Sequence, residues 1–192
     1  MTTPINFTIK SDGPISTEFI TRNILTFDEA TLFIKNLSYG RNHDKTHLIS
    51  IFSENCGTCS TKHALIKRLA EENYQKELKL MIGLFKMSGY NTPVISKTLL
   101  RHHLEYIPEA HCYLKYGDQI LDLTSRKSSP EDFLDDLIEE IEISPDQITE
   151  YKVQYHQNYL KGWLDQNNKI KLSLGDLWNI REKCIEDLSK NQ

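Results

Sequence analysis

A cysteine pair, a histidine and an aspartate stand at spacings that thiol chemistry can use. Cys56 and Cys59 bracket Gly57 and Thr58, and Ser60, Thr61, Lys62 and His63 follow. An apolar, β-like run over residues 47–52 precedes the pair, and a helical pattern over residues 64–72 follows it. A cysteine at such a strand-to-helix junction meets unpaired backbone N–H groups and the positive end of the helix dipole. That setting lowers a thiol pKa and makes thiolate available near neutral pH. A thiolate nucleophile then needs a base or counter-ion, and a third group to orient that base.

His111 and Asp122 meet that need by parity. Residues 110–116 and 119–124 flank Gly117-Asp118 and read as a β-hairpin. With a two-residue loop, Tyr116 pairs with Gln119, Tyr113 with Asp122 and His111 with Thr124. Paired residues share a face that repeats every second position, so His111 and Asp122 become diagonal neighbours. Asp122 then accepts one imidazole N–H and leaves the other ring nitrogen for a thiol. A three-residue loop would separate the two onto opposite faces, so the assignment depends on register.

The elements that must hold these residues follow from local signals. Short strands are expected over residues 5–10 and 19–25, about the turn Ser11-Asp12-Gly13-Pro14. Thr26 and Glu29 have capping-box spacing, and Ala30, Phe33, Ile34 and Leu37 recur at helical spacing over residues 27–38. Gly40 is placed to end that helix in the left-handed conformation. Residues 78–85 read as a strand, and Thr92-Pro93 opens a helix reaching about Tyr106. Ser129-Pro130-Glu131-Asp132 and Ser144-Pro145-Asp146-Gln147 each open a further helix. The first carries the stripe Phe133, Leu134, Leu137, Ile138 and Ile141, its acidic run reading as a solvated face. The second, over residues 145–164, carries Tyr151, Tyr155, Tyr159 and Trp163, a packing seam or dimer interface. Ser173 with Asp176 caps a last helix.

Composition narrows the class. The chain has 192 residues, of which 39% are hydrophobic and 26% charged, enough for one folded domain. With a net charge of −4 and no basic stripe, nothing points to nucleic acid. The start Met1-Thr2-Thr3-Pro4-Ile5-Asn6 lacks an export signal, and no apolar run is long enough to cross a membrane. A cytoplasmic setting follows as the expectation, with the four cysteines as thiols rather than a disulfide framework.

Gly57-Thr58-Cys59 at a helix start, then His111 on a strand, then Asp122 in Leu121-Asp122-Leu123-Thr124, resembles the transglutaminase-like cysteine enzymes. That family shares a papain-like Cys–His–Asp order. Its aspartate is usually followed by Pro-Thr, where this chain has Leu123-Thr124; its histidine is commonly followed by Ala or Cys and then Trp or Tyr, matched by Cys112-Tyr113. Leu37-Ser38-Tyr39-Gly40-Arg41 is similar to the segment upstream of the family's cysteine helix. The resemblance covers roughly residues 27–125. It implies an α+β, papain-like core over residues 1–128 with a helical extension over residues 129–192. It implies Cys59 as nucleophile, His111 as base and Asp122 as orienting acid, acting on amide or acyl bonds through a thioester. The oxyanion is then met by the Cys59 N–H and one upstream group; Asn42, Asn55 and Tyr113 are the oxyanion or substrate-site candidates. Peptides, proteins or small amides are the implied substrates, hydrolysed or transamidated, without metal or cofactor.

Two other readings stand beside this one. Cys56-Gly57-Thr58-Cys59 is a C-x-x-C at a strand–helix junction, and Ile107-Pro108 precedes the hairpin, as in thioredoxin-like oxidoreductases. In that reading His111 and Asp122 share no task. A papain-like domain acting only as a binding module is the other. Zinc held by Cys56, Cys59, His63 and Cys112 or His111 has no second C-x-x-C or spaced histidine pair to complete it.

Overall fold

The computed structural model describes residues 4–190. Met1, Thr2 and Thr3, where the absence of an export signal is expected, lie outside the described residues. The fold is mixed α+β, a four-stranded sheet with helices on both faces.

The sheet comprises β3 (Lys79–Ser88), β4 (Tyr106–Tyr116), β5 (Gln119–Leu121) and β6 (Leu137–Ile143), in the order β5-β4-β3-β6, and every pair is antiparallel. Alternation along β3 and β4 feeds two cores. Leu80, Ile82, Leu84, Ala110, Cys112 and Leu114 join one; Met81, Phe85, Met87, Ile107 and Tyr113 join the other. The first core is closed by α1 (Pro14–Thr21), α2 (Phe27–Asn36), α3 (Ser50–Glu54) and α4 (Cys59–Glu72). The second is closed by α5 (Ser96–Arg101), α6 (Glu150–Gln166) and α7 (Leu174–Lys190). A minor parallel pair, β1 (Ser38–Tyr39) with β2 (Cys56–Gly57), ties the chain after α2 to the chain before α4.

Several expected elements form otherwise. The strands expected over residues 5–10 and 19–25 do not form: Pro14–Thr21 is α1, because Pro14 sits at the helix start and Ile15 and Phe19 bury one face, and of residues 5–10 Thr8 makes an isolated bridge to Thr26. Residues 47–52 are a turn and α3 rather than a strand, since consecutive Ile51 and Phe52 bury together, Phe52 against Phe19 and Phe33. So short an apolar run fits either period. The capping box of α2 forms, but Leu37 leaves the helix extended and the chain enters β1, so Gly40 ends nothing. The helix expected from Thr92 stops at Arg101. The largest change is at residues 133–141: the stripe read as helical is two 3₁₀ turns followed by β6, where Ile141 and Ile143 pair with Ile82 and Leu80 of β3. β6 is an edge strand carrying Glu139, Glu140 and Glu142, a charge pattern that discourages further strand addition. The segment after residue 128, expected as a helical extension, therefore supplies a strand of the sheet. Among the described residues no helix is long and apolar enough to cross a membrane.

Candidate functional site

α4 is buried on nearly every side, from Cys59 through Lys67. Thr58 caps it in a box with Thr61, so Cys59 is its first helical residue. The Cys59 N–H has no intrahelical acceptor at that position and faces outward with the helix dipole. Gly57 is required just before it: a Cβ there would lie 2.9 Å from Lys62 Cγ. The buried polar residues of the first two turns are all engaged. Thr61 Oγ1 donates to Asn42 Oδ1 (2.8 Å). Lys62 Nζ donates to the carbonyls of Leu37 (2.6 Å) and Thr124 (2.9 Å). His63 Nδ1–H donates to the Cys59 carbonyl (2.6 Å), and its Nε2 accepts from the Leu123 N–H (2.7 Å). Lys62 and His63 thus grip the stretch that follows Asp122.

The hairpin register has Tyr116 opposite Gln119, as the two-residue loop requires, and the ladder ends at Leu121 opposite Leu114. Asp122 leaves the ladder but keeps its side. His111 Nε2–H donates to Asp122 Oδ2 (3.1 Å), and Asp122 Oδ1 accepts from the Thr124 N–H (2.9 Å). With Nε2 committed, Nδ1 is the ring nitrogen left for Cys59, and all three side chains line one cleft. The structure therefore brings Cys59, His111 and Asp122 together.

Their electrostatics are consistent with an ion pair. The Cys59 thiol is pulled well below its ordinary value, first by its interaction with the neighbouring Cys112; burial opposes this, and Lys152 and His111 add to it. Burial also resists charging His111, but Asp122 and the Cys59 sulfur outweigh it and raise its pKa to about 10. Asp122 resists burial likewise, and His111 holds it below the usual carboxylate range. Cys112 is pushed the opposite way, upward, by its interaction with Cys59 and by burial, and its S–H donates to Ser60 Oγ at 3.7 Å.

A cleft of about 370 Å³ opens over this group. One wall is apolar, with Phe85, Met87, Pro93, Val94, Phe133, Ile185 and Leu188. Tyr39, Glu109, Ser125, Lys127 and Asp132 are among its polar lining residues. Burial, followed by the charges of Cys59 and Glu109, keeps the Tyr39 phenol protonated and able to donate. Burial disfavours an ionised Glu109, but Arg181 grips it, Nε to Oε2 at 2.7 Å, and holds it charged. Thr124 Oγ1, also on the cleft wall, is buried with no hydrogen-bond partner among the described residues.

The three proposed oxyanion or substrate-site residues have other work. Asn42 spends its amide on Glu54 Oε2 (2.8 Å), the Cys56 carbonyl (2.9 Å) and Thr61, so it pins the loop before α4. Asn55 is an exposed residue in left-handed conformation that ends α3. Tyr113 is fully buried, outside the cleft lining, and its hydroxyl donates to Glu140. Cys56 is half-buried, its thiol pushed up by burial and Glu54. Among the described residues no three His, Cys, Asp or Glu side chains converge as metal ligands.

Lys152 was missed by sequence reasoning. It is buried on α6, with Nζ 2.8 Å from Ser60 Oγ and 3.8 Å from Cys59 Sγ. The buried face of α6 is Lys152, His156, Leu160 and Trp163; it shares Trp163 with the expected stripe and otherwise lies one position on from the three tyrosines, of which Tyr155 and Tyr159 are half-buried. A lysine in line with Leu160 and Trp163 was the available signal. Searches against protein-family models, curated proteins and solved structures return no match to this chain.

Proposed function

We propose that the chain is a transglutaminase-like cysteine enzyme with a papain-like core, transferring or hydrolysing acyl groups through a thioester on Cys59. The observation that carries this reading is the joined arrangement of Cys59 at the start of α4, His111 and Asp122, with Nε2 to Oδ2 at 3.1 Å. The Cys59 thiolate adds to the substrate carbonyl carbon. The resulting oxyanion lies beside the Cys59 N–H, with the Tyr39 phenol, which lines the same cleft, as a second donor. His111 gives its Nδ1 proton to the departing amine nitrogen as the C–N bond breaks, leaving the thioester. A water or amine then attacks, His111 takes its proton, and the C–S bond breaks with the electron pair returning to sulfur. The apolar wall favours acyl donors with an apolar group next to the scissile carbonyl.

The test is intact-protein mass spectrometry with activated esters and amides of apolar acyl groups. The expected result is one acyl adduct, mapped to Cys59, absent from Cys59→Ala and strongly reduced in His111→Ala. A panel giving no adduct and no turnover would overturn the proposal in favour of a binding module. The redox reading predicts instead a reversible Cys56–Cys59 disulfide and dependence on Cys56; unchanged acylation of Cys56→Ser counts against it.

A further inference from the structure

We infer that Lys152 is a fixed second counter-ion of the Cys59 sulfur, so that the thiolate is held from α6 independently of the proton on His111. The inference rests on the reading of Cys59 as the nucleophile. Lys152 Nζ stands 3.8 Å from Cys59 Sγ and donates to Ser60 Oγ at 2.8 Å. The side chain is buried, and an ammonium out of water requires a nearby anion. Ser60 is neutral, and the acceptor within reach that can carry charge is the sulfur.

Other charged groups face this pair from each packed element. β4 presents Cys112, His111 and Glu109; β1 presents Tyr39. α4 adds Lys62 and His63, α6 adds His156, α7 adds Arg181, and Lys45 approaches from the loop before α3. The Glu109 carboxylate is already neutralised by Arg181 at 2.7 Å, and Asp122 by His111 at 3.1 Å. Cys112, the other thiol facing Lys152, donates its S–H to Ser60 Oγ at 3.7 Å and is therefore the protonated one, so the Cys59 sulfur is left as the anionic partner of Lys152.

This gives the two cations different tasks. His111 is the proton carrier, and Lys152 keeps its protons. When the sulfur is acylated its charge disappears while that of Lys152 stays. A retained positive charge disfavours protonation of His111, which readies the ring to accept a proton from the second nucleophile. When the thioester collapses, the same ammonium stabilises the sulfur that leaves with the electron pair.

The test measures the charge of the sulfur without any acyl donor. Iodoacetamide labelling of Cys59, read by peptide mass to separate it from Cys56, is followed against pH. Lys152→Met is expected to slow labelling at pH 6 by about tenfold or more, and Lys152→Arg to restore most of it. His111→Ala alone is expected to keep labelling at pH 6, whereas the double variant labels only near the ordinary thiol range, above about pH 8.5. A Lys152→Met profile that superimposes on the unaltered protein's overturns the inference. If Lys152→Met does not fold, the unaltered protein labelled with ¹³C at lysine Cε answers the question. Alkylating Cys59 should lower the titration midpoint of the Lys152 signal, and an unmoved midpoint overturns the inference. An absent acyl adduct would remove the proposed function and leave these labelling results standing, so the two can fail separately.

Discussion

His63 and His111 lie with ring centroids 6.2 Å apart, both near Asp122, yet they hold opposite charge states. His63 is fully buried, and burial lowers its pKa to about 4; it donates through Nδ1 and accepts at Nε2, which only the neutral ring can do. His111 is held charged to about 10. Their effects on stability have opposite signs. His63 takes up a proton near 6.5 when unfolded and near 4 when folded, so it costs stability as pH falls from 6.5 to 4. His111 is protonated near 6.5 when unfolded and near 10 when folded, so its contribution is complete below 6.5 and fades as pH rises to 10. Because Cys59, with its lowered pKa, releases a proton on folding where His111 takes one up, each arm should be read by urea unfolding as the pH-dependent difference between the unaltered protein and the variant of that histidine. His63→Leu should flatten the acid arm and, at neutral pH, cost about 1–3 kcal/mol, since it leaves the Leu123 N–H buried without its acceptor. For chemistry, the alkaline limit of Cys59 reactivity toward acyl donors should follow His111, near 10. Asp122→Asn removes the charge that raises it. That limit should then move down toward the ordinary histidine range, with a rate loss on the order of 10²-fold or more in stopped-flow acylation. The meeting of His111 and Asp122 was legible in the sequence, because hairpin parity alone aligns the two. Lys152 was not, because its buried face on α6 reads as the polar side of a helix beside three tyrosines.

At the scale of elements, α4 both presents the sulfur and clamps the segment bearing its acid. One turn after Cys59, Lys62 holds the Thr124 carbonyl and His63 the Leu123 N–H. A helix with charged and polar residues at consecutive buried positions carries no apolar stripe, and its period predicts less burial than it has. The helical start was nonetheless readable, since the Thr58 cap depends on local chemistry. β6 failed to be read for the opposite reason. Leu134, Leu137, Ile138 and Ile141 satisfy a helical period, while Ile141 and Ile143 also satisfy alternation, and only pairing with β3 decides between them. That pairing constrains Gly83, which sits between β4 and β6. A Cβ there would approach Leu137 Cδ1 to 2.7 Å and Tyr113 Cε1 to 2.8 Å. Gly83→Ala should cost about 1–3 kcal/mol in chemical denaturation, through the shift forced on Tyr113 and Leu137. Because Tyr113 stacks near His111, at 6.3 Å between ring centroids, the same variant should also slow acylation. A variant that loses neither stability nor rate would show that the two strands part easily, against the packing described.

For the whole molecule, the question is whether residues 1–128 stand alone, as the sequence division between a core and a helical extension implies. The packing argues that they do not. Residues beyond 128 supply β6, which covers one edge of β3, and they supply Phe133, Leu160, Trp163, Leu177, Ile180 and Cys184 to the second core. Without them Met81, Phe85, Met87, Ile107 and Tyr113 lose their cover on one face of the sheet. An exposed apolar sheet face beside an unpaired strand invites association. The site itself draws on the same segment: Lys152 reaches Cys59, Arg181 holds Glu109, and Ile185 and Leu188 form part of the cleft wall. A chain ending at residue 128 should therefore elute as aggregate in size-exclusion chromatography, bind a hydrophobic dye and show no cooperative unfolding. A monomeric fragment with a sigmoidal urea transition would establish an independent core and reduce residues 129–192 to a lid on it. The distinction bears on chemistry as well as folding. If the fragment folds and its Cys59 still labels at pH 6, the helix dipole and His111 suffice to ionise the sulfur. If it folds but labels only as an ordinary thiol, the segment after residue 128 is what makes Cys59 a nucleophile.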